Sequence, residues 1–60
     1  MKIRIEFDTD NAAFEDNPLE IRDVLEQASN KAASLMISGS GKLGLRDSNG
    51  NTVGTVEVEK

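Results

Sequence analysis

The segment from Asp16 to Met36 most constrains the fold, because it combines a helix start signal with a long apolar stripe. Asn17 is suited to cap a helix, Pro18 suits the first helical position, and Glu20 completes the spacing of a capping box. Apolar residues then recur at helical intervals: Ile21, Val24, Leu25, Ala28, Ala32, Leu35 and Met36. This spacing predicts one amphipathic helix whose apolar face covers a small sheet.

Strands are predicted on both sides of this helix. Residues 2–8 alternate apolar with charged side chains, which is typical of a half-buried strand. Gly39 is well placed to stop the helix, and residues 42–47 and 52–59 form two further predicted strands. Between them lies Asn49–Gly50, a strong signal for a tight hairpin.

The order strand, helix, strand, strand predicts the topology. Because crossover connections are right-handed, we expect an α+β fold of β-α-β-β type, with one helix on a three-stranded antiparallel sheet of order 2-3-1 and a single domain over residues 1–60. A two-residue turn would pair Leu45 with Gly54, Leu43 with Val56, Gly41 with Val58, Lys42 with Glu57 and Arg46 with Val53. A three-residue loop with a bulge at Gly50 is the alternative, and it would pair Leu45 with Val53 and Lys42 with Val56.

Charge is distributed unevenly along the chain. The net charge is -4, yet residues 5–21 hold six acidic residues and no basic one. This acidic lead-in joins the first strand to the helix, and Ala12, Ala13 and Phe14 are expected to form a short helical turn within it. Phe14 is interpreted as a plug for one end of the core, with an exposed anchor for a partner as the alternative. The candidate partner-binding residues are Asp8, Asp10, Phe14, Glu15, Asp16 and Glu20.

Composition argues against several classes of function. The chain has no cysteine and no histidine, so thiol chemistry, thiolate metal sites and the common nucleophile–base pairs are excluded, and we expect no enzymatic activity and no cofactor. Two acidic stretches begin like calcium loops, but Leu19 and Val58 stand where the bidentate glutamate belongs. An acidic chain without Trp or Tyr also lacks the features of direct nucleic-acid binding. No apolar run is long enough for a membrane span or a signal peptide.

Residues 11–16, the amphipathic helix and residues 45–54 together resemble small accessory proteins encoded by tailed bacteriophages. The resemblance covers most of the chain and rests on structural motifs. It implies an accessory role in the cytoplasm of a host bacterium. That group has no settled activity, so the resemblance assigns no functional residue.

We therefore expect a non-enzymatic protein-binding module, a phage-encoded accessory protein that binds and modulates a host bacterial protein with a basic surface. One alternative is an acidic DNA mimic that inhibits a nucleic-acid-binding enzyme. A second is a small self-associating structural protein, favoured by the short chain and by the two open edges that a three-stranded sheet leaves.

Overall fold

The computed structural model describes residues 1–60 and has five elements. They are β1 (Lys2–Phe7), α1 (Ala12–Asp16), α2 (Glu20–Ser38), β2 (Gly41–Arg46) and β3 (Thr52–Glu59). The sheet is antiparallel in the order β1-β3-β2, which confirms the predicted α+β fold and its strand order. The core lies between α2 and one face of this sheet.

The short helix α1 closes one end of the core. Asn11 caps it, because its side-chain oxygen accepts hydrogen bonds from the N–H groups of Ala13 at 3.1 Å and Phe14 at 3.4 Å. The Phe14 ring stacks on Phe7 with 6.1 Å between the ring centroids. Phe14 is only 5% exposed, so it is the core plug of the first interpretation and is not an exposed anchor.

The start of α2 differs from the predicted capping box. Asn17 accepts a hydrogen bond from the Leu19 N–H at 3.2 Å, but regular helix begins only at Glu20. The Asn17 N–H donates to the Ala13 carbonyl at 3.2 Å, so it does not need the Glu20 side chain. That carboxylate instead accepts a hydrogen bond from the Ser48 N–H at 3.0 Å. The capping-box prediction is therefore wrong, since Glu20 holds the distant β2–β3 turn.

The helix α2 is turned about its axis relative to the predicted stripe. Its buried residues are Glu20, Val24, Ala28, Ala32 and Leu35. Ile21, Leu25 and Met36, which the apolar periodicity assigned to the core, are each at least two-fifths exposed. The buried face has moved toward Gln27 and Lys31, which are half-buried although the sequence placed them on the solvent face.

The strands of the hairpin pair as the two-residue turn predicted. Gly41 lies opposite Val58, Lys42 opposite Glu57, Leu43 opposite Val56 and Leu45 opposite Gly54. At the next position the register shifts, and Arg46 lies opposite Thr52 instead of Val53. The extra residue, Val53, packs against the core instead of pairing with Arg46.

The turn itself follows the alternative prediction. Gly50 alone in this turn has a positive φ, at 83°, as expected for the bulge position of a three-residue loop, whereas the tight two-residue turn needs two such residues. The Asp47 carboxylate stabilises the loop by accepting hydrogen bonds from Asn49 N–H at 3.0 Å and Asn51 N–H at 2.9 Å. The bulge at Val53 then restores the strand register that apolar pairing favours.

Candidate functional site

The helix covers only part of the sheet. Its contacts are with β2 and β3, and β1 lies beside it largely uncovered. A helix about 10 Å wide cannot cover three strands spaced about 4.8 Å apart together with their side chains. As a result, Ile5 on the helix-facing side of β1 remains 41% exposed, and Ile3 is similar.

Because the helix lies over β2 and β3, an apolar groove remains between the helix and β1. The flank of α2 that bears Glu20, Gln27 and Lys31 contacts β2 and the β2–β3 turn, so the opposite flank lies on the β1 side. We call the resulting surface the open groove, and its half-exposed residues are Ile3 and Ile5 from β1 and Ile21, Leu25 and Met36 from α2.

The outer edge of β2 is covered by side chains of the helix. The Gln27 amide donates to the Arg46 carbonyl at 3.0 Å and accepts from the Arg46 N–H at 2.9 Å, much as a neighbouring strand would. The Lys31 ammonium donates to the Gly44 carbonyl at 2.6 Å and to the Gln27 oxygen at 3.1 Å. These contacts occupy backbone groups that would otherwise be free to pair with another chain.

The outer edge of β1 has no such cover. The Asp8 N–H donates to the Val53 carbonyl at 3.0 Å. This bond shows which residues of β1 direct their backbone groups toward β3. Because residues in an antiparallel pair alternate between inward and outward bonding, the backbone N–H and C=O groups of Ile3 and Ile5 point away from β3. No side chain of the molecule bonds to them. Free backbone groups therefore border the open groove.

The face of the sheet opposite the helix is charged. Arg4 forms ion pairs with Glu57 at 3.3 Å and Glu59 at 3.6 Å, across the β1–β3 ladder. These pairs are exposed, and pairs of this kind contribute at most about 1 kcal/mol each. Lys2, Glu6 and Asp8 form no ion pair within the chain.

The six residues predicted to bind a partner separate into two groups. Asp8, Asp10, Glu15 and Asp16 are exposed and lie within one short segment between β1 and α2. Phe14 and Glu20 are buried at 5% and 4% exposure and belong to the core and to the turn contact. Only the first group is exposed at the surface.

Two buried carboxylates, those of Glu20 and Asp47, bond to the backbone of the β2–β3 turn. Both carboxylates are less than one-tenth exposed, and three backbone N–H groups of the turn donate to them. The second Asp47 carboxylate oxygen has no hydrogen-bond partner. The Glu20–Ser48 hydrogen bond links the start of α2 to the turn and so fixes the helix above β2 and β3.

The exposed features of the molecule are surfaces and not enclosed cavities. No group of three or more acidic side chains converges to hold a metal ion, and no enclosed pocket opens at the surface. None of the helices combines the length and apolar character that crossing a bilayer requires. The open groove with its neighbouring strand edge, and the four exposed carboxylates, are the candidate functional surfaces.

Sequence reasoning missed the open groove and the roles of Gln27 and Lys31. One available signal was that Glu20, Gln27 and Lys31 share one helix flank, at spacings of seven and four residues. Three long polar side chains in a line beside an apolar face are well suited to satisfy a strand edge. Another signal was that three strands with their side chains are wider than a single helix can cover.

Comparison of the chain with protein-family models, with characterised proteins and with solved structures finds no match.

Proposed function

We propose that this chain is a non-enzymatic protein-binding module and that the open groove and the β1 edge form its main binding surface. The observation that carries the proposal is the uncovered inner face of β1. Ile3 and Ile5 leave apolar side chains and unpaired backbone groups at the same place. An extended strand that adds to β1 would satisfy both, since its backbone pairs with the edge and its alternate side chains enter the groove.

The estimated binding free energy of the groove favours a protein partner over a small ligand. Covering the exposed part of a Leu or Ile that is already three-fifths buried is worth roughly 1 kcal/mol. The groove therefore offers roughly 5 kcal/mol, while association costs about 4–15 kcal/mol. A partner must add backbone hydrogen bonds and further apolar surface of its own, as a protein strand does.

The chemistry of the chain supports a non-enzymatic role. It contains neither histidine nor cysteine, and its serines have no adjacent base. Its buried carboxylates, Glu20 and Asp47, are engaged with backbone N–H groups of a turn. They therefore stabilise structure instead of facing a substrate.

A second candidate surface is the acidic segment, which would bind a partner with a basic surface. Asp8, Asp10, Glu15 and Asp16 are exposed, and none of them has an ion-pair partner within the chain. The same carboxylates would serve an acidic DNA mimic. Lys2, Lys42 and Arg46 dilute that charge, so binding of a basic protein is the better fit. We propose the cytoplasm of a bacterial host as the setting, on the phage resemblance described above.

Site-specific photo-crosslinking tests the open groove as a protein-binding surface. Leu25 in the groove, 44% exposed, is replaced by p-benzoylphenylalanine, and the matched control carries the same residue at Ile37, which is 89% exposed and lies outside the groove. Both proteins are irradiated in bacterial lysate and also alone. The proposal expects protein crosslinks from position 25 and few or none from position 37. Equal labelling at both positions, or none at either, would contradict it.

The acidic segment has a separate test. Replacement of Asp8 and Asp10 by Asn, and of Glu15 and Asp16 by Gln and Asn, removes its charge while keeping side-chain size. We expect captured partners to be lost and wild-type capture to fall at high salt. Competition by added duplex DNA would identify mimicry, whereas unchanged capture by the amide variant would remove this surface from consideration.

A further inference from the structure

The two edges of the sheet differ in their readiness to pair. Gln27 and Lys31 occupy the outward backbone groups of Arg46 and Gly44 on β2. No side chain does the same for β1, although unpaired edges are usually protected in soluble proteins. Any strand added to this sheet is therefore expected at β1.

The charges of β1 specify which strand fits there. On the face opposite the helix the order is two basic residues followed by two acidic ones: Lys2, Arg4, Glu6 and Asp8. This order is complementary to itself when read backwards. An antiparallel copy centred on Ile5 would place Lys2 opposite Asp8 and Arg4 opposite Glu6, each twice.

Neighbouring registers lack this match. Centring the two copies on Arg4 brings two arginines together, and centring them on Glu6 brings two glutamates together. The register centred on Ile5 also places outward-pointing backbone groups opposite one another, since Ile5 faces its own copy and Ile3 faces Phe7. Registers centred on Arg4, Ile5 or Glu6 all satisfy this hydrogen-bonding condition, and charge selects the one centred on Ile5.

We propose that a second copy of this chain occupies the open groove, through antiparallel pairing of β1 with β1 about a two-fold axis at Ile5. The inference rests on the proposed protein-binding role of the groove and names its partner. In this arrangement the two helices lie on the same side of one continuous sheet. Leu25 and Ile5 of both copies then cover each other, so the apolar surface of the open groove lies inside the dimer.

Charge variants test both the partner and the register. A basic variant carries Glu6→Lys and Asp8→Lys, and an acidic variant carries Lys2→Gln and Arg4→Gln, so that no carboxylate is placed opposite Glu59 or Glu57. Sedimentation velocity of the wild type should give a dimer of about 13 kDa, twice the 6.5 kDa monomer. Each variant alone should dissociate at least tenfold more readily. An equimolar mixture should restore the dimer, because each variant supplies the charges that the other lacks.

Amide hydrogen exchange of the wild type provides a second measurement that needs no substitution. Dimer formation should slow exchange at Ile3 and Ile5 as protein concentration rises. The Arg4 amide, which is bonded within the monomer sheet, serves as the internal control.

The two proposals fail in different ways. A monomeric wild type with rapid exchange at Ile3 and Ile5 at high concentration overturns the dimer. Crosslinking of Leu25 to another protein would then leave the binding module intact. Variants that keep their helical circular dichroism and still dimerise like the wild type also overturn the β1 pairing.

Discussion

At the scale of single residues, the close approach of β1 to β3 depends on Gly54. A Cβ atom built at this position would lie 2.5 Å from the Cα of Phe7 and closer still to the Glu6 carbonyl. These are backbone contacts, so relief requires the two strands to move apart. Glycine here follows from packing, a requirement that the sequence alone did not reveal because glycine in a strand also marks bulges and turns.

Gly54→Ala should therefore destabilise the fold by about 2–3 kcal/mol. Gly44→Ala is the matched control, since its Cβ would meet only the Thr52 methyl group at 3.7 Å, an ordinary contact. Urea unfolding followed by circular dichroism measures both. Equal midpoints for the two variants would show that β1 does not approach β3 as closely as described.

Glu20→Ala should lower stability by about 2 kcal/mol, because the Ser48 N–H loses a charged, buried acceptor. Glu15→Ala removes an exposed carboxylate from α1 and is expected to change stability by less than about 0.5 kcal/mol. The same urea experiment compares them. A similar loss in both variants would argue for a general charge effect and against the turn contact.

At the scale of elements, the existence and order of the strands and the main helix could be predicted from the sequence. Alternation over residues 2–8 and the hairpin signal at Asn49–Gly50 are local patterns that correspond directly to strands. The rotation of α2 could not be predicted in this way. Apolar periodicity points toward Ile21 and Leu25, whereas the observed rotation also satisfies the β2 backbone through Gln27. That choice depends on a strand edge far away in the chain.

Gln27→Ala should cost about 1–2 kcal/mol of stability, because the amide makes two hydrogen bonds with the Arg46 backbone. Exchange of the Arg46 amide proton should become faster in this variant. Glu26→Ala, one residue earlier on the exposed side of α2, is the control and should alter neither quantity appreciably. Unchanged Arg46 exchange in Gln27→Ala would contradict the edge-covering role.

The hairpin combines both turn predictions for a physical reason. The three-residue loop lets the Asp47 carboxylate accept a hydrogen bond from the turn and gives Gly50 its positive φ. The register of the two-residue turn aligns Leu43 with Val56 in the core. The bulge at Val53 reconciles the two demands. The two predicted registers were each uniform along the hairpin, so neither included a change of register within one strand.

At the scale of the whole molecule, the exposed carboxylates were predicted as a site, whereas the open groove was not. Asp8 and Asp10 stand out as charges in the sequence itself. The exposure of Leu25 depends on how much of the sheet one helix can cover, which is a property of the assembled layers. Predicting such a surface requires the width of the helix to be compared with that of the sheet, and the patterns of single elements do not include this comparison.

Leu25→Ala should raise the dissociation constant of the proposed dimer by about tenfold or more. In a two-fold symmetric dimer the substitution removes the side chain from both sides of the interface. Ile37→Ala, outside the groove, should leave it unchanged. Sedimentation equilibrium over a range of concentrations measures both constants. If the two variants weaken association equally, or neither does, the open groove is not part of the interface.

The contact between Gln27 and Arg46 bears on the final size of such an assembly. Joining two copies at β1 leaves β2 at both outer rims of the combined sheet, and at each rim the amide already occupies the Arg46 backbone groups. Growth by further strand addition would first have to displace it. Together with Lys31 on Gly44, this glutamine thus opposes open-ended polymerisation into fibrils, and chains lacking it are expected to enter the aggregation pathway more readily.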